Sequence, residues 1–183
     1  GKVILIGGSA GSLDVLLKIL PAIHPAFKQS IVIVLHRKFS NDSVLTDLLS
    51  VKTKLKVREV EEKDMIQPGY VYIAPGDYHL LFEKDLSFSL DDSEKVNYSR
   101  PSIDVAFQSA ADVLGSNLVC ILLSGANADG TEGCRYAKEK GGTTVAQLPL
   151  SAEVAYMPSQ AIASNVVDYV LDIEGIISFI NQL

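Results

Sequence analysis

Three polar residues of complementary chemistry follow three apolar runs of this sequence. They are Ser9, His36 and Asp129, and the runs before them span 3–6, 31–35 and 118–123. A serine hydroxyl is a weak nucleophile until a base removes its proton, and imidazole can act as that base near neutral pH. A carboxylate on the other ring nitrogen would orient the imidazole and stabilise its charged form. These residue types together predict acyl transfer by a nucleophilic serine.

Each of the three residues also has an ordinary structural explanation. Ser9 lies in a glycine-rich first turn, which elsewhere permits a tight bend or holds phosphate. His36 could be a hydrogen-bonded core residue, and Asp129 could cap a helix. Their joint position favours a catalytic set. His79 is the rival for the base, whereas His24 is typical of a solvated loop.

The apolar runs alternate with helical patterns, and this order predicts an α/β layered fold. The predicted strands span 2–6, 31–35, 70–74, 118–123, 143–147 and 168–171. The predicted helices span 12–20, 42–50, 102–114, 130–140, 158–163 and 173–182, and we expect Ser12 and Ser102 to cap two of them. Continuous Val/Ile/Leu runs are typical of parallel strands buried on both faces. Polar residues after such strands meet at one edge of the sheet, where ligands bind.

The middle of the chain, 52–99, has shorter segments of alternating polarity. Two of them, 54–58 and 86–90, indicate an antiparallel hairpin region attached to the parallel sheet. The predicted architecture is therefore a three-layer α/β/α sandwich with a mostly parallel central sheet and a small antiparallel hairpin region.

Composition limits the possible functions. A chain of 183 residues suits one domain, and its formal net charge of −6, with no basic cluster, disfavours nucleic acid as a partner. Its apolar runs are too short to insert into a membrane. Two isolated cysteines, Cys120 and Cys134, indicate a reduced cytoplasmic protein. Because the three histidines are scattered and no His/Cys cluster has ligand spacing, we expect no metal. We also expect no cofactor.

Several separate segments carry a resemblance to a known family. They are Ile6–Gly11, Val34–His36, Val71–Asp77 with His79-Leu80, Arg100–Val105, Leu122–Gly125 through Ala128–Gly130, Ala146-Gln147 and Met157-Pro158. In this order they resemble the catalytic domain of the CheB-type protein-glutamate methylesterases of bacterial chemotaxis.

The resemblance implies that the catalytic serine, histidine and aspartate are Ser9, His36 and Asp129. It implies hydrolysis of γ-glutamyl methyl esters on methylated chemoreceptors and, in some members, deamidation of glutamine. Family members usually carry a phosphoryl-accepting receiver domain ahead of this one. We therefore expect residues 1–183 to be a single catalytic domain without that receiver domain.

Other candidate site residues surround these three. We expect backbone N–H groups near Ala10 and Gly11 to hold the oxyanion, and Ala126 is a further candidate for contact with the substrate or the oxyanion. Arg100 is a candidate for binding an acidic substrate group, with a surface arginine as the alternative. Where the family usually has methionine and glycine, this chain has Ala126 and Asn127, which changes the expected pocket.

Two other functions remain open from sequence alone. The first is a catalytically degenerate interaction domain of the same fold, for which the altered Ala126-Asn127 segment is the support. The second is a phosphate- or nucleotide-binding module based on the glycine-rich first turn. Against the second, the chain has neither a Walker A lysine nor a regular Gly-x-Gly-x-x-Gly motif.

Overall fold

A seven-stranded sheet runs through the middle of the protein, and all of its pairings are parallel. The computed structural model describes residues 1–37 and 42–183. The strands are β1 (Val3–Gly8), β2 (Ser30–Leu35), β3 (Lys56–Glu59), β4 (Tyr70–Ile73), β5 (His79–Phe82), β6 (Phe88–Asp91), β7 (Leu118–Leu122), β8 (Thr143–Gln147) and β9 (Tyr169–Leu171). The sheet order is β3-β4-β2-β1-β7-β8-β9, and β5 and β6 form a separate antiparallel pair.

Helices cover both faces of the sheet because its central strands are apolar on both sides. They are α1 (Ser12–Ala22), α2 (Asp42–Ser50), α3 (Ile103–Leu114), α4 (Thr131–Glu139), α5 (Tyr156–Ala163) and α6 (Ile173–Asn181). Successive residues of β1 alternate between two cores: Ile4 packs with α1 and α6, whereas Leu5 packs with α3, α4 and α5. The predicted three-layer α/β/α architecture is confirmed.

The hairpin prediction was wrong for residues 54–58 and correct for 86–90. β3 pairs parallel to β4 at one edge of the main sheet, whereas β6 pairs antiparallel with β5. The alternating polarity of β3 has a simple cause, since an edge strand is half exposed and its residues alternate between exposed and partly buried. Alternation therefore marked the edge of a parallel sheet as well as a hairpin.

The cap prediction was right for Ser102 and wrong for Ser12. Ser102 Oγ accepts a hydrogen bond from Val105 N at the start of α3. At the start of α1 the N-cap is Gly11, with φ of 83°. The Ser12 hydroxyl instead donates back to the carbonyl oxygen of Ser9, so it fixes the turn that carries Ser9.

The sheet order brings the ends of three strands together. β1 pairs with β2 on one side and with β7 on the other, so the chain leaves β1 and later returns on its opposite flank. In open parallel sheets this reversal creates a crevice at the carboxyl ends of the strands, where ligands bind. Ser9, His36 and the segment 123–130 all follow these strands.

The helices in the part of the chain that the structure describes are short. The longest is α3, with 12 residues, and none of them has the length and apolarity needed to cross a bilayer.

The contact between α3 and α4 requires a glycine at position 133. A Cβ added there would lie 2.6 Å from Phe107 Cβ. We expect Gly133→Ala to lower the free energy of unfolding by about 1–3 kcal/mol, because a close-packed core resists an extra methyl group. Urea unfolding measures this, with Gln108→Ala on the exposed face of α3 as the control. Equal stability of the two variants would contradict the prediction.

Candidate active site

A cleft of about 660 Å³ lies at the carboxyl edge of the sheet. Its walls come from the turn after β1, the residue after β2, the loop after β7 and the segment before α3. The candidate residues among those that line it are Ser9, Ala10, His36, Arg100 and Ala126. Ser9 and Ala126, which are 117 residues apart in the chain, therefore meet at this cleft.

Ser9 is held on the cleft wall by the loop that follows β7. Ser9 N donates to the carbonyl oxygen of Ser124 at 3.0 Å. The Ser9 hydroxyl accepts a hydrogen bond from Ala126 N at 2.9 Å. Between these two contacts, a Cβ added to Gly125 would lie 2.6 Å from Ser9 Oγ and 2.6 Å from Met157 Cε. Glycine is thus required where the loop passes the hydroxyl.

His36, which lines the cleft, pairs with the buried side chain of Asp129. The distance from His36 Nε2 to Asp129 Oδ2 is 2.6 Å, with the imidazole side chain 12% exposed and the carboxylate 0% exposed. An ionised carboxylate accepts only, so in the neutral form of the imidazole Nε2 carries the shared hydrogen and Nδ1 has the lone pair. The amide nitrogen of Asn127 lies 3.5 Å from Nδ1. Nδ1 is therefore the nitrogen that can take up a proton.

Asp129 is buried but richly hydrogen-bonded. Besides His36, its donors are Ile103 N at 2.7 Å, Asp104 N at 2.9 Å, Asn97 Nδ2 at 2.9 Å and Ser102 Oγ at 3.1 Å. Two of these donors are N–H groups in the first turn of α3. Burial by itself would raise the pKa of Asp129, but the hydrogen bonds from His36, Asp104 N, Ile103 N and Asn97 outweigh it and hold the pKa below its usual range. The carboxylate is therefore ionised near neutral pH.

Asp104 accepts hydrogen bonds from the start of α4, just as Asp129 accepts them from the start of α3. Asp104 lies in the first turn of α3, and its Oδ1 accepts from Gly130 N at 2.8 Å and Gly133 N at 2.7 Å, at the start of α4. Its Oδ2 accepts from Asn97 Nδ2 at 2.8 Å. Burial and then the negative charge of Asp129 raise the pKa of Asp104 to about 6, against these hydrogen bonds.

Sequence reasoning missed Asp104 and Asn97 as parts of this site. Asp104 belongs to the segment Arg100–Val105 that carries the family resemblance, and an acidic residue two positions after a capping serine is a visible signal. Asn97 has no comparable signal, because the tight turn that brings it to the aspartates is defined only in three dimensions.

The remaining candidates differ in their contacts. Ala10 lines the cleft, whereas Gly11 lies against Ser124 and Glu153 at the start of α1. Arg100 Nη1 donates to the carbonyl oxygens of Asp92 at 2.9 Å and Ser93 at 3.1 Å. Arg100 therefore braces a neighbouring turn while lining the cleft.

Ser9 Oγ and the His36 ring line the same cleft, but no hydrogen bond joins them within residues 1–37 and 42–183. The catalytic assignment of Ser9, His36 and Asp129 stays a prediction at this point.

His79 is excluded as the rival base by its contacts. The side chain is buried, its Nε2 donates to the carbonyl oxygen of Glu94 at 2.8 Å, and its Nδ1 accepts from Ser102 N at 3.2 Å. With both nitrogens engaged, the ring serves to hold the start of α3. His24 lies exposed in a loop, where its Nδ1 accepts from Ala26 N at 3.0 Å, as expected.

Comparison with known proteins shows the family of this chain. The family model described as CheB methylesterase matches residues 4–180. The chain belongs to the CheB methylesterase family.

Solved and curated relatives support this assignment. The crystal structure of the Thermotoga maritima CheB methylesterase catalytic domain superposes with a TM-score of 0.95 at 34% identity, covering 100% of this chain and 98% of that one. A Leptospira interrogans protein, provisionally named a protein-glutamate methylesterase/protein-glutamine glutaminase, is 46% identical over 175 residues, which are 96% of this chain and 91% of that protein.

A Thermotoga maritima protein-glutamate methylesterase/protein-glutamine glutaminase is 37% identical over 177 residues, which cover 93% of this chain but 51% of that protein. The family resemblance expected from the sequence motifs is confirmed.

The paired aspartates predict an unusual pH dependence of stability. A carboxyl whose pKa is raised on folding stabilises the protein while protonated, and this contribution is lost as pH rises through the folded pKa. For Asp104 the loss falls between its ordinary pKa of 3.8 and about 6.

We expect Asp104→Asn to remove this component. As pH rises from 3.8 to about 6, the free energy of unfolding of the wild type should therefore fall relative to that of Asp104→Asn. Urea unfolding from pH 4 to 7.5 measures it, with exposed Asp14→Asn as the control. Parallel pH curves for wild type and Asp104→Asn would show that Asp104 titrates normally.

Proposed function

We propose that this chain is a serine hydrolase that demethylates γ-glutamyl methyl esters of chemoreceptors, with Ser9 as nucleophile, His36 as base and Asp129 as its orienting carboxylate. The observation that carries the proposal is the buried 2.6 Å contact between His36 Nε2 and Asp129 Oδ2 beside a serine on the same cleft. Curated relatives bear the name of this activity.

In the first step His36 Nδ1 takes the hydroxyl proton of Ser9, and Ser9 Oγ attacks the ester carbonyl carbon. The tetrahedral intermediate then expels the methoxy group, which leaves as methanol with the proton from His36. Catalytic hydrogen bonds often shorten only in the complex with substrate, and we propose that the Ser9 hydroxyl turns to His36 on binding. Water then gives a proton to His36 Nδ1 and attacks the carbonyl carbon of the glutamyl-enzyme. The bond from that carbon to Ser9 Oγ breaks, Ser9 regains its proton from His36, and the glutamate side chain is released as a carboxylic acid.

Ala126 N supports the developing oxyanion in this mechanism. It is an N–H group already 2.9 Å from the Ser9 hydroxyl oxygen, and its position depends on backbone rather than on a side chain. We propose Ala10 N and Gly11 N, at the start of α1, as further donors. Asp129, ionised and buried, stabilises the imidazolium that exists between the two proton transfers.

The cleft also contains charges suited to an acidic protein segment. Lys95 and Arg100 line it together with Asp77, so this wall carries two cations in a chain whose formal charge is −6. We propose that these cations, including Arg100, attract carboxylates beside the esterified glutamate. The retained serine, histidine and aspartate favour this enzyme over a degenerate interaction domain.

The family membership of the chain supports a proposal about its substrate proteins, its location and its regulation. We propose that residues 1–183 act as the catalytic domain on methylated chemoreceptors in the cytoplasm, under control of a receiver domain. Since the relatives are also named protein-glutamine glutaminases, deamidation is proposed as a second reaction, in which ammonia replaces methanol as the leaving group.

Ser9→Ala is the direct test of the nucleophile. We expect it to lower methanol release from a peptide with a glutamate γ-methyl ester by about 10³-fold or more, as for other catalytic serines. It should also abolish labelling by a fluorophosphonate. Ser116→Ala, an exposed serine outside the cleft, is the control. A Ser9→Ala protein with the wild-type rate would rule out the mechanism.

Gly125→Ala tests the packing of the loop around the hydroxyl. The new Cβ would lie 2.6 Å from Ser9 Oγ and 2.6 Å from Met157 Cε, so the Ser9 side chain or the loop that carries Gly125 must shift. We expect methanol release to fall by about 10²-fold, since small displacements of reacting groups cost that much. Gly175→Ala in α6 is the control, and unchanged turnover in Gly125→Ala would show that the loop has room to spare.

A further inference from the structure

Asn97 lies at the tip of a tight turn beside the cleft. The flanking residues Val96 and Ser99 exchange two backbone hydrogen bonds of 3.1 and 3.0 Å. Between them Asn97 and Tyr98 have φ of 55° and 63°, the left-handed region that asparagine tolerates better than most residues. The turn leaves Tyr98 almost fully exposed, whereas the Asn97 side chain reaches inward.

The amide nitrogen of Asn97 donates to both aspartates of the site. Nδ2 lies 2.9 Å from Asp129 Oδ1 and 2.8 Å from Asp104 Oδ2. A primary amide nitrogen carries two hydrogens, a hydroxyl carries one and a carboxylate carries none. Both hydrogens of Asn97 are therefore used, one for each carboxylate. Asparagine therefore fits the left-handed backbone of the turn and also donates one hydrogen to each of the two carboxylates.

We propose that Asn97 is a positioning residue of this hydrolase, which holds Asp129 in the orientation that presents Oδ2 to His36. The proposal rests on the catalytic roles proposed above for Asp129 and His36. Oδ1 of Asp129 accepts from Asn97 Nδ2, Ser102 Oγ and Asp104 N. With Oδ1 held by these three donors, rotation of the carboxylate is restricted and Oδ2 stays toward the imidazole.

Asn97 also lowers the repulsion between two carboxylates that lie close together. Asp129 raises the pKa of Asp104 through its charge, whereas the Asn97 amide lowers the pKa of both residues. A neutral donor between two negative groups satisfies an oxygen of each without cancelling the charge that Asp129 offers to His36. A lysine in this place would compete with the imidazolium for that charge.

Two substitutions at position 97 separate positioning from turn stability. Asn97→Gly removes the amide and keeps the left-handed backbone accessible. Asn97→Asp keeps the shape and tolerance of the turn but has no hydrogen to donate and adds a third negative charge. The matched control is Asn165→Gly, since exposed Asn165 also has a left-handed φ, of 57°, and lies after α5.

The first measurement is methanol release from a peptide with a glutamate γ-methyl ester. We expect kcat of Asn97→Gly to fall about tenfold with KM almost unchanged, because supporting hydrogen bonds to a site residue are typically worth that much. Asn97→Asp should fall further. Asn165→Gly should keep the wild-type kcat even if its urea midpoint changes.

The second measurement does not depend on turnover. A short imidazole–carboxylate hydrogen bond of 2.6 Å gives a downfield N–H proton signal in NMR, and a chain with three histidines allows simple assignment. We expect the His36 signal to move upfield or broaden in both Asn97 variants and to stay unchanged in Asn165→Gly.

The outcomes distinguish this inference from the function on which it rests. If the wild type releases methanol and both Asn97 variants keep its kcat and its His36 signal, the positioning role is overturned and the hydrolase stands. If Asn97→Asp matches the wild type and Asn97→Gly loses only stability, Asn97 is a turn residue and the inference is likewise overturned. If the wild type releases no methanol but the His36 signal responds to Asn97, the proposed function fails and the placement of Asp129 by Asn97 holds.

Discussion

Two buried carboxylates, those of Asp129 and Asp104, hold the site together. Each accepts hydrogen bonds from the first turn of the helix at which the other lies. Asp129 comes just before α4 and accepts N–H groups of Ile103 and Asp104 at the start of α3. Asp104 lies in α3 and accepts N–H groups of Gly130 and Gly133 at the start of α4. Free N–H groups at a helix start favour negative charge, so each helix stabilises the carboxylate carried by its neighbour. The two helices thus fix each other and the acid that orients His36.

This arrangement brings two like charges close together inside the protein. The effect on the two pKa values differs. Asp129 accepts the hydrogen bond from His36 and keeps a lowered pKa, whereas Asp104 does not bind the imidazole and its pKa rises to about 6. The carboxylate proposed to act in catalysis is thus the one that stays ionised. The repulsion instead raises the pKa of Asp104, whose hydrogen-bond donors are backbone N–H groups and the Asn97 amide.

The sequence predicts the layers and the three strand ends because both depend on local patterns. Runs of apolar residues mark the buried strands, and Ser9, His36 and Asp129 are simply the polar residues that follow them. The part that could not be predicted depends on contacts between distant segments. Nothing in 54–58 tells a half-exposed parallel edge from a hairpin strand, and Asn97 is found only when the turn 96–99 is seen against the start of α3. His79 shows the same limit, since its burial and two occupied nitrogens follow from the position of Glu94 and Ser102.

Ala126 and Asn127 stand where the sequence resemblance led us to expect methionine and glycine. They change the side chains of the cleft wall but keep the backbone donor to Ser9. Ala126 contributes its N–H to Ser9, and any residue but proline supplies that group, so the identity of the side chain at position 126 does not affect the donor. Asn127 adds a side chain whose Oδ1 accepts from Asp129 N at 3.0 Å and whose Nδ2 lies 3.5 Å from His36 Nδ1. A contact of that length is at the limit of a hydrogen bond, so the imidazole can exchange it for the Ser9 hydroxyl at little cost. Asn127 therefore lies beside Nδ1 of His36 without a short hydrogen bond to it, which is compatible with the role of base proposed for His36.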